Sequence, residues 1–258
     1  LLNSDLSVIV GYTSEADIAP LRDLPVQFRK INEVQAPVKS GQYAAFDQDD
    51  FYRIVMNKWE LLIQNLPEFD YLIYSDIDVL WIRDAASEIK KIFTNLTEKQ
   101  VVIQSFGDDE VFPSLCMGFV GFRNSSITLE FLSNAKRAHA EQIVANPRIG
   151  DDDIATEIFR GLKYPDWLHR LSSVYFPVGN TLNLFTTKPV FPGLTSPTPF
   201  IFHLNYVVGL NNKRLMLKIL SSANSAWKIK SRLTVGWSMR LKLRRFKFLA
   251  GSIRKSIK

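Results

Sequence analysis

The 258-residue chain is 46% apolar and 22% charged, the make-up of an ordinary soluble globular protein, with enough length for a proper core in one large or two small domains. No run approaches the ~20 apolar residues a membrane-spanning helix needs, and Cys116, the only cysteine, excludes an internal disulfide or a cysteine metal cluster and mildly favours a reducing compartment. The net charge of +6 is unevenly spread: residues 1–166 hold all 26 acids and 16 Lys or Arg, giving −10, whereas 167–258 hold the other 16 bases and no acid, giving +16, which points to an anionic partner or surface for the C-terminal part.

Residues 6–10 (LSVIV) predict the first strand, ended by Gly11, and 11–14 (GYTS) a strand-to-helix turn capped by Thr13 or Ser14. Such a turn is where α/β folds place a nucleotide base or ribose, although Tyr12 reads equally well as a packing aromatic. A second strand region follows over 24–31, then a polar loop to Gly41. From 51 to 66 (FYRIVMNKWELLIQNL) apolar positions 51, 54, 55, 59, 62, 63 and 66 fall at helical spacing, and Pro67 stops the helix. Arg53, Asn57 and Lys58 lie on or beside its polar flank, where they suit a diphosphate or are solvated charges on an amphipathic helix.

The stretch 71–84 (YLIYSDIDVLWIRD) carries the strongest chemical signal. Its first four residues predict a short buried strand of an α/β sheet. Asp76 and Asp78 follow at the carboxyl end, where open α/β sheets gather ligands, and at i and i+2 they point to the same side. Buried unpaired carboxylates are costly, and a divalent cation is the simplest compensation. Hard oxygen ligands suit Mg²⁺ or Mn²⁺, and those ions suit a diphosphate. The plainer alternative is a solvated turn after a strand. A helix over 85–93, a strand over 101–105 and an acidic loop at 107–110 come next. Residues 115–122 (LCMGFVGF) predict a strand whose start lines the pocket, with Gly118 and Gly121 marking close approach by a ligand or another backbone. Cys116 reads there as a small buried apolar residue rather than a nucleophile, since no His lies nearby in sequence.

A helix over 128–145 ends before Pro147, and another opens after Gly150 and runs to about Arg160. Capping and the helix dipole explain one aspartate at that start. Asp151, Asp152 and Asp153 together exceed what capping needs, so at least one is expected to face the pocket. Residues 161–202 are proline-rich and read as loops, with short strands at 175–177 and 200–202. His203 falls at a strand end, a suitable place for a metal ligand. Gly209 and Lys213 read as a phosphate grip, the glycine admitting the backbone and the lysine supplying charge. Residues 227–258 hold 11 Lys or Arg, no acid, and Trp227, Trp237, Phe246 and Phe248. That mixture suits an anionic membrane surface, with nucleic acid as rival partner and a disordered basic tail as the plainer reading.

Taken as an ordered set, these residues resemble the GT-A glycosyltransferases, and among them the nucleotide-diphospho-sugar transferase family that includes plant cell-wall xylosyl- and arabinosyltransferases. Residues 75–81 (SDIDVLW) are similar to that family's DxD motif. The likeness continues through Lys58, Cys116-Met117-Gly118-Phe119 with Phe122-Arg123, the helix start at Asp151, and His203-Leu204-Asn205 before Gly209 and Lys213, covering about residues 6–220. The resemblance implies an α/β GT-A (Rossmann-like) catalytic domain over 1–220, its mixed, mainly parallel sheet flanked by helices, and a basic, aromatic-containing tail over 221–258. It implies a metal-dependent glycosyltransferase that moves a sugar, with retention, from a UDP-sugar donor to a glycan or lipid-linked acceptor, using Mn²⁺ or Mg²⁺. Asp78 would be the main metal ligand, Asp76 would share the ion and contact the donor, and His203 would complete the set. Lys213 with Gly209 would hold the diphosphate, Tyr12 and Thr13 would lie at the base, and Arg53 and Lys58 would complete the donor site. Asp151, Asp152 and Asp153 are the candidate catalytic residues, stabilising a cation-like anomeric carbon or orienting the acceptor hydroxyl. Asp152 departs from the Gln that relatives carry in an Asp-Gln pair.

A Mg²⁺-dependent phosphohydrolase of the haloacid dehalogenase type is the rival reading, with Asp76 as nucleophile and Gly150-Asp151-Asp152 imitating its later acidic motif. Its motif usually sits on the first strand, and it leaves His203 and Lys213 without a role. A non-enzymatic sugar- or membrane-binding module is the second alternative, opposed by the intact Asp76, Asp78 and His203. The expected partners are a nucleotide-sugar donor, a glycan or glycolipid acceptor and an anionic membrane surface through 227–258, and not nucleic acid. The expected location is peripheral, on the cytoplasmic face of a membrane, or the Golgi lumen if an anchor precedes Leu1.

Overall fold

The computed structural model describes residues 7–12, 15–31, 49–106, 113–178, 199–205, 211, 213–215 and 217–218. Their centre is a four-stranded sheet built from β3 (Tyr71–Ser75), β5 (Val101–Ser105), β6 (Leu115–Arg123) and β7 (Leu168–Leu171), in the order β3-β6-β5-β7. β6 runs against both of its neighbours and β5 runs parallel to β7, so three strands share one direction and the sheet is mixed. Two smaller pairs flank it: β1 (Ile9–Tyr12) beside β2 (Gln27–Lys30) in parallel, with the short helix α1 (Glu15–Ile18) in the connection between them, and β4 (Val79–Trp81) against β8 (Ile201–His203).

Apolar alternation along β5 explains why helices cover both faces. Val101 and Ile103 point into one core with α2 (Asp49–Asn65), α4 (Ser126–Ala145) and α5 (Asp151–Gly161). Val102 points into a second core with α3 (Ala85–Asn95), Phe176 and Phe200. In the first core Trp59, Leu62 and Leu66 of the α2 segment, Phe159 of α5 and Leu132 of α4 are fully enclosed. Each such aliphatic or Phe side chain contributes about 1.5–3 kcal/mol through removal of apolar surface from water. Helix starts follow local chemistry. The Asp84 carboxylate accepts from Ser87 N at 3.0 Å to open α3, and Ser125 Oγ accepts from Thr128 N at 3.2 Å to open α4 two residues earlier than periodicity alone suggests.

Four expectations need correcting. Gly11 lies inside β1 instead of ending it: a Cβ there would come within 2.9 Å of Leu61, so the glycine lets β1 approach α2. β3 is half-buried rather than buried, since among the described residues it is an edge strand paired only with β6. Residues 175–177 form a turn, not a strand; Tyr175 O and Pro177 O accept from Phe200 N and His203 N, but Pro177 has no N–H with which to extend a ladder. The stretch read as loop after 161 contains β7.

One buried histidine ties the helices together. Trp59 Nε1 donates to His139 Nδ1 at 2.9 Å, so His139 Nε2 carries the proton and donates to Ile149 O at 3.0 Å. Burial lowers the pKa of this imidazole, the nearby Ile149 carbonyl, Asp151 and Asp153 only partly opposing it. Protonation would cost the Trp59 bond. Below about pH 6.5 the unfolded chain therefore binds the proton more readily than the folded one. Stability contributed by His139 should be complete above that pH and fall as the pH drops toward the depressed folded value. Urea denaturation at pH 7.5 and 5.5 is expected to show this loss in the wild type and a smaller one in His139→Gln, the difference isolating His139 from the other histidines.

Candidate active site

The site forms where β3 ends. Asp76 N donates to Gly118 O at 2.8 Å, and Val79 N donates back to Asp76 O at 3.1 Å, which folds 76–79 into a tight turn. The turn turns both carboxylates inward and leaves Ile77 between them 98% exposed. β4 then pairs with β8 in a register that sets Val79 opposite His203, and Leu204 N donates to Asp78 O at 3.2 Å. Backbone pairing thus delivers an imidazole from far along the chain to the two aspartates. One ligand atom from each of Asp76, Asp78 and His203 can be chosen so that all lie within 4.8 Å of one another.

Their surroundings fit a cation. His203 is 1% exposed, and its Nε2 has no hydrogen-bond partner, lying 3.4 Å from Asp78 Oδ1 and 3.7 Å from Asp76 Oδ2. An orphaned buried nitrogen facing two carboxylates is costly unless something binds it. One imidazole and two carboxylates suit Mn²⁺ well and also serve Mg²⁺. Gly118 makes the space: a Cβ there would stand 1.9 Å from His203 Cε1 and 2.8 Å from Asp76 Oδ2. Lys213 Nζ donates to Asp78 Oδ2 at 2.5 Å. Burial alone would raise the Asp78 pKa, but His203 and Lys213 outweigh it and hold the carboxyl well below the usual range.

Beneath the aspartates sits Lys58, 7% exposed. Its ammonium is hydrogen-bonded to Asp151, donates to Met117 O at 3.2 Å, and lies 3.5 Å from Asp76 Oδ1 and 4.5 Å from the centre of the Tyr74 ring. Desolvation works to lower its pKa, yet Asp151 and Asp76 hold it well above the ordinary value. Tyr74 OH donates to Asp76 Oδ1 at 2.6 Å, and burial followed by the Asp76 charge pushes its phenol up. Asp152 Oδ1 accepts from Met117 N at 2.5 Å, and burial together with the charge of Asp151 pushes this carboxyl up. Asp153 is exposed at the edge of the same cleft, its Oδ2 accepting from Gly150 N at 3.1 Å as a helix cap.

One cleft among the described residues joins Tyr12, Lys58, Asp76, Asp78, Asp151, His203 and Lys213. Tyr12 lies at its far side, with its hydroxyl donating to Glu15 Oε1 at 2.7 Å. Thr13, Gly209, the Arg53 side chain and the basic stretch 227–258 lie outside the described residues. Cys116 is buried as expected, and burial pushes its thiol well up, but its Sγ lies 3.4 Å from His203 Nδ1, a proximity hidden by sequence separation. Gln104 and Tyr74 were missed. The signal for Gln104 was a lone amide in an otherwise apolar strand, and for Tyr74 a hydroxyl two residues before Asp76, on the same side of β3.

A mixed, helix-flanked sheet with two aspartates and a histidine gathered at a strand end defines an α/β protein with a candidate metal centre. The profile of the nucleotide-diphospho-sugar transferases matches residues 23–217. The chain belongs to that family and is a glycosyltransferase. Among solved structures, the galactosyltransferase LgtC in complex with donor and acceptor sugar analogs is similar over 91% of this chain and 89% of its own, at 13% identity and a TM-score of 0.53, which shows the GT-A fold. Mouse xyloside xylosyltransferase 1 in its apo form aligns over 78% of this chain and 84% of its own, at 14% identity and a TM-score of 0.43. No curated protein matches the sequence. Family membership and the placement of the aspartates after β3, not β1, disfavour the phosphohydrolase alternative.

Adding the missing methyl at Gly118 tests the geometry. Gly118→Ala is expected to push His203 away from Asp76 and weaken Mn²⁺ binding about tenfold or more, measured by calorimetry. Gly121→Ala, whose Cβ would meet Ile89 and Phe93 instead, should cost stability but leave ion affinity unchanged.

Proposed function

We propose that the protein moves a sugar from a UDP-sugar to a glycan or lipid-linked acceptor, with retention of configuration and with dependence on Mn²⁺ or Mg²⁺. The observation that carries this reading is the convergence of Asp76, Asp78 and the partnerless Nε2 of His203 at a strand end. An ion held by these three would serve as a Lewis acid toward the donor diphosphate, offsetting charge that grows as the sugar–phosphate bond breaks.

The remaining roles belong to the chain's own groups. Lys213, half-buried beside Asp78, is within the same cleft and would pair with the leaving diphosphate. Lys58 serves the donor site from beneath by fixing Asp76 and Asp151. Asp151 supplies negative charge near a cation-like anomeric carbon. Asp152, a carboxyl that burial favours in its protonated form, is suited to donate a hydrogen bond to a sugar or acceptor hydroxyl. Asp153 supports these two by capping their helix. Tyr12, with Thr13, would flank the base, and Gly209 and Arg53 would complete the diphosphate contacts.

The test is a panel of UDP-sugars assayed for Mn²⁺-dependent binding and hydrolysis, with Asp78→Ala alongside wild type. Turnover of one donor, reduced at least about a hundredfold in the variant, is the expected result. A wild type that binds no nucleotide sugar would overturn the reading. The membrane proposal rests on the acid-free, aromatic-bearing composition of 227–258, which supports docking to an anionic cytoplasmic leaflet. Deleting 227–258 should abolish binding to phosphatidylserine-containing vesicles while sparing donor hydrolysis; unchanged vesicle binding would sink it.

A further inference from the structure

We infer that Gln104 is a positioning residue for the metal centre: it accepts the proton on His203 Nδ1 and so holds the imidazole with Nε2 aimed at an ion shared with Asp76 and Asp78. The inference rests on the metal-site reading above but concerns a residue outside the ligand set.

The argument starts from the amide. Gln104 is fully buried in β5, and its Nε2 donates to Phe176 O at 3.0 Å and faces Pro177 O at 3.4 Å. Reversing the amide would set its oxygen against two carbonyl oxygens, so the orientation is fixed by what surrounds it. Gln104 Oε1, left as an acceptor only, lies 3.2 Å from His203 Nδ1. Asp78 and Asp76 also face the ring as acceptors, at Nε2, so it is the ion that decides between the two nitrogens: once Nε2 ligates it, the one remaining ring N–H stands on Nδ1, where Gln104 Oε1 accepts it.

Cys116 is the competitor. Its Sγ lies 3.4 Å from the same Nδ1, and a thiol proton donated there would put the ring proton on Nε2 and close the site to an ion. The thiol is a weak donor, and its sulfur also lies 3.7 Å from Asn205 Nδ2, which uses it as an acceptor. Gln104 is therefore the stronger partner for Nδ1.

Sheet geometry explains how a residue of β5 reaches a histidine of β8. β5 and β6 lose register between Ile103, opposite Val120, and Gln104, opposite Cys116. The extra residues 117–119 of β6 bulge at that point and include Gly118, which makes room for the imidazole.

In the first arm, long-range ¹H–¹⁵N correlation spectra of ¹⁵N-histidine-labelled wild type in saturating Mg²⁺ report the tautomer of each ring, with His203→Asn supplying the assignment. The expected result for ion-bound His203 is a proton on Nδ1 alone; a proton on Nε2 there would overturn the inference. In the second arm, calorimetry with Mn²⁺ alone compares wild type, Gln104→Leu, Gln104→Glu and Cys116→Ala. Gln104→Leu should lose about 10–100-fold in affinity. Gln104→Glu, which as the buried neutral acid keeps a donor for Phe176 O and an acceptor for Nδ1, should recover most of it, and Cys116→Ala should stay near wild type. Affinity within twofold of wild type in a folded Gln104→Leu would overturn the inference, as would a loss confined to Cys116→Ala. Wild type that binds no Mn²⁺, or binds it equally in Asp78→Ala, would defeat the metal-site reading and this inference with it.

Discussion

A single buried ammonium holds the site together. Taking the Lys58 charge out of water is costly, and only full pairing offsets that cost. Its partners come from α5, from the end of β3 and from the β6 backbone, so one side chain on α2 joins four elements at the floor of the cleft. Without it, Asp76 and Asp151 would face each other across a poorly solvated gap with no charge between them. A buried pair stripped of one member loses about 3–5 kcal/mol, which makes this lysine a constraint on the fold as much as on the chemistry.

The second constraint is steric. The antiparallel pairing of β4 with β8 sets where His203 must stand, and the irregularity in β6 leaves room for it there. Apolar packing reinforces both: Phe176 stacks on Phe119 at 5.8 Å and on Phe200 at 5.2 Å, which fixes the turn whose carbonyls orient Gln104. The apolar cores on the two faces of the sheet thus hold in place the strands at whose ends the polar cluster stands.

Much of this was legible in the sequence wherever a local rule decides. The period of α2, the apolar runs of β5 and β6, and the carboxylate pair after β3 could be read because hydrophobic spacing and strand-end chemistry act over a few residues. Asp153 follows the same logic, since helix capping accounts for it without any ligand. β7 was not legible, because LHRL is four residues long, mixed in polarity and set in a proline-rich stretch. Residues 175–177 look like a strand by composition, yet Tyr175 and Phe176 satisfy their backbone on Ser172 and their rings on neighbouring aromatics. The contacts of His203 with Gln104 and Cys116 were hidden for another reason: their partners meet only after three strands have assembled, and no local pattern encodes that.

The ion pair between Lys213 and Asp78 has a thermodynamic consequence. In this structure the chain supplies its own cation to the aspartate, so an incoming metal ion must compete with an ammonium already in place. A diphosphate would offer that ammonium a second anionic partner and draw it off Asp78, whose exposed charge would then favour the ion. Each ligand would thereby improve the site for the other, and by linkage the coupling must be equal in both directions. Such an arrangement would make occupancy of the two sites rise together.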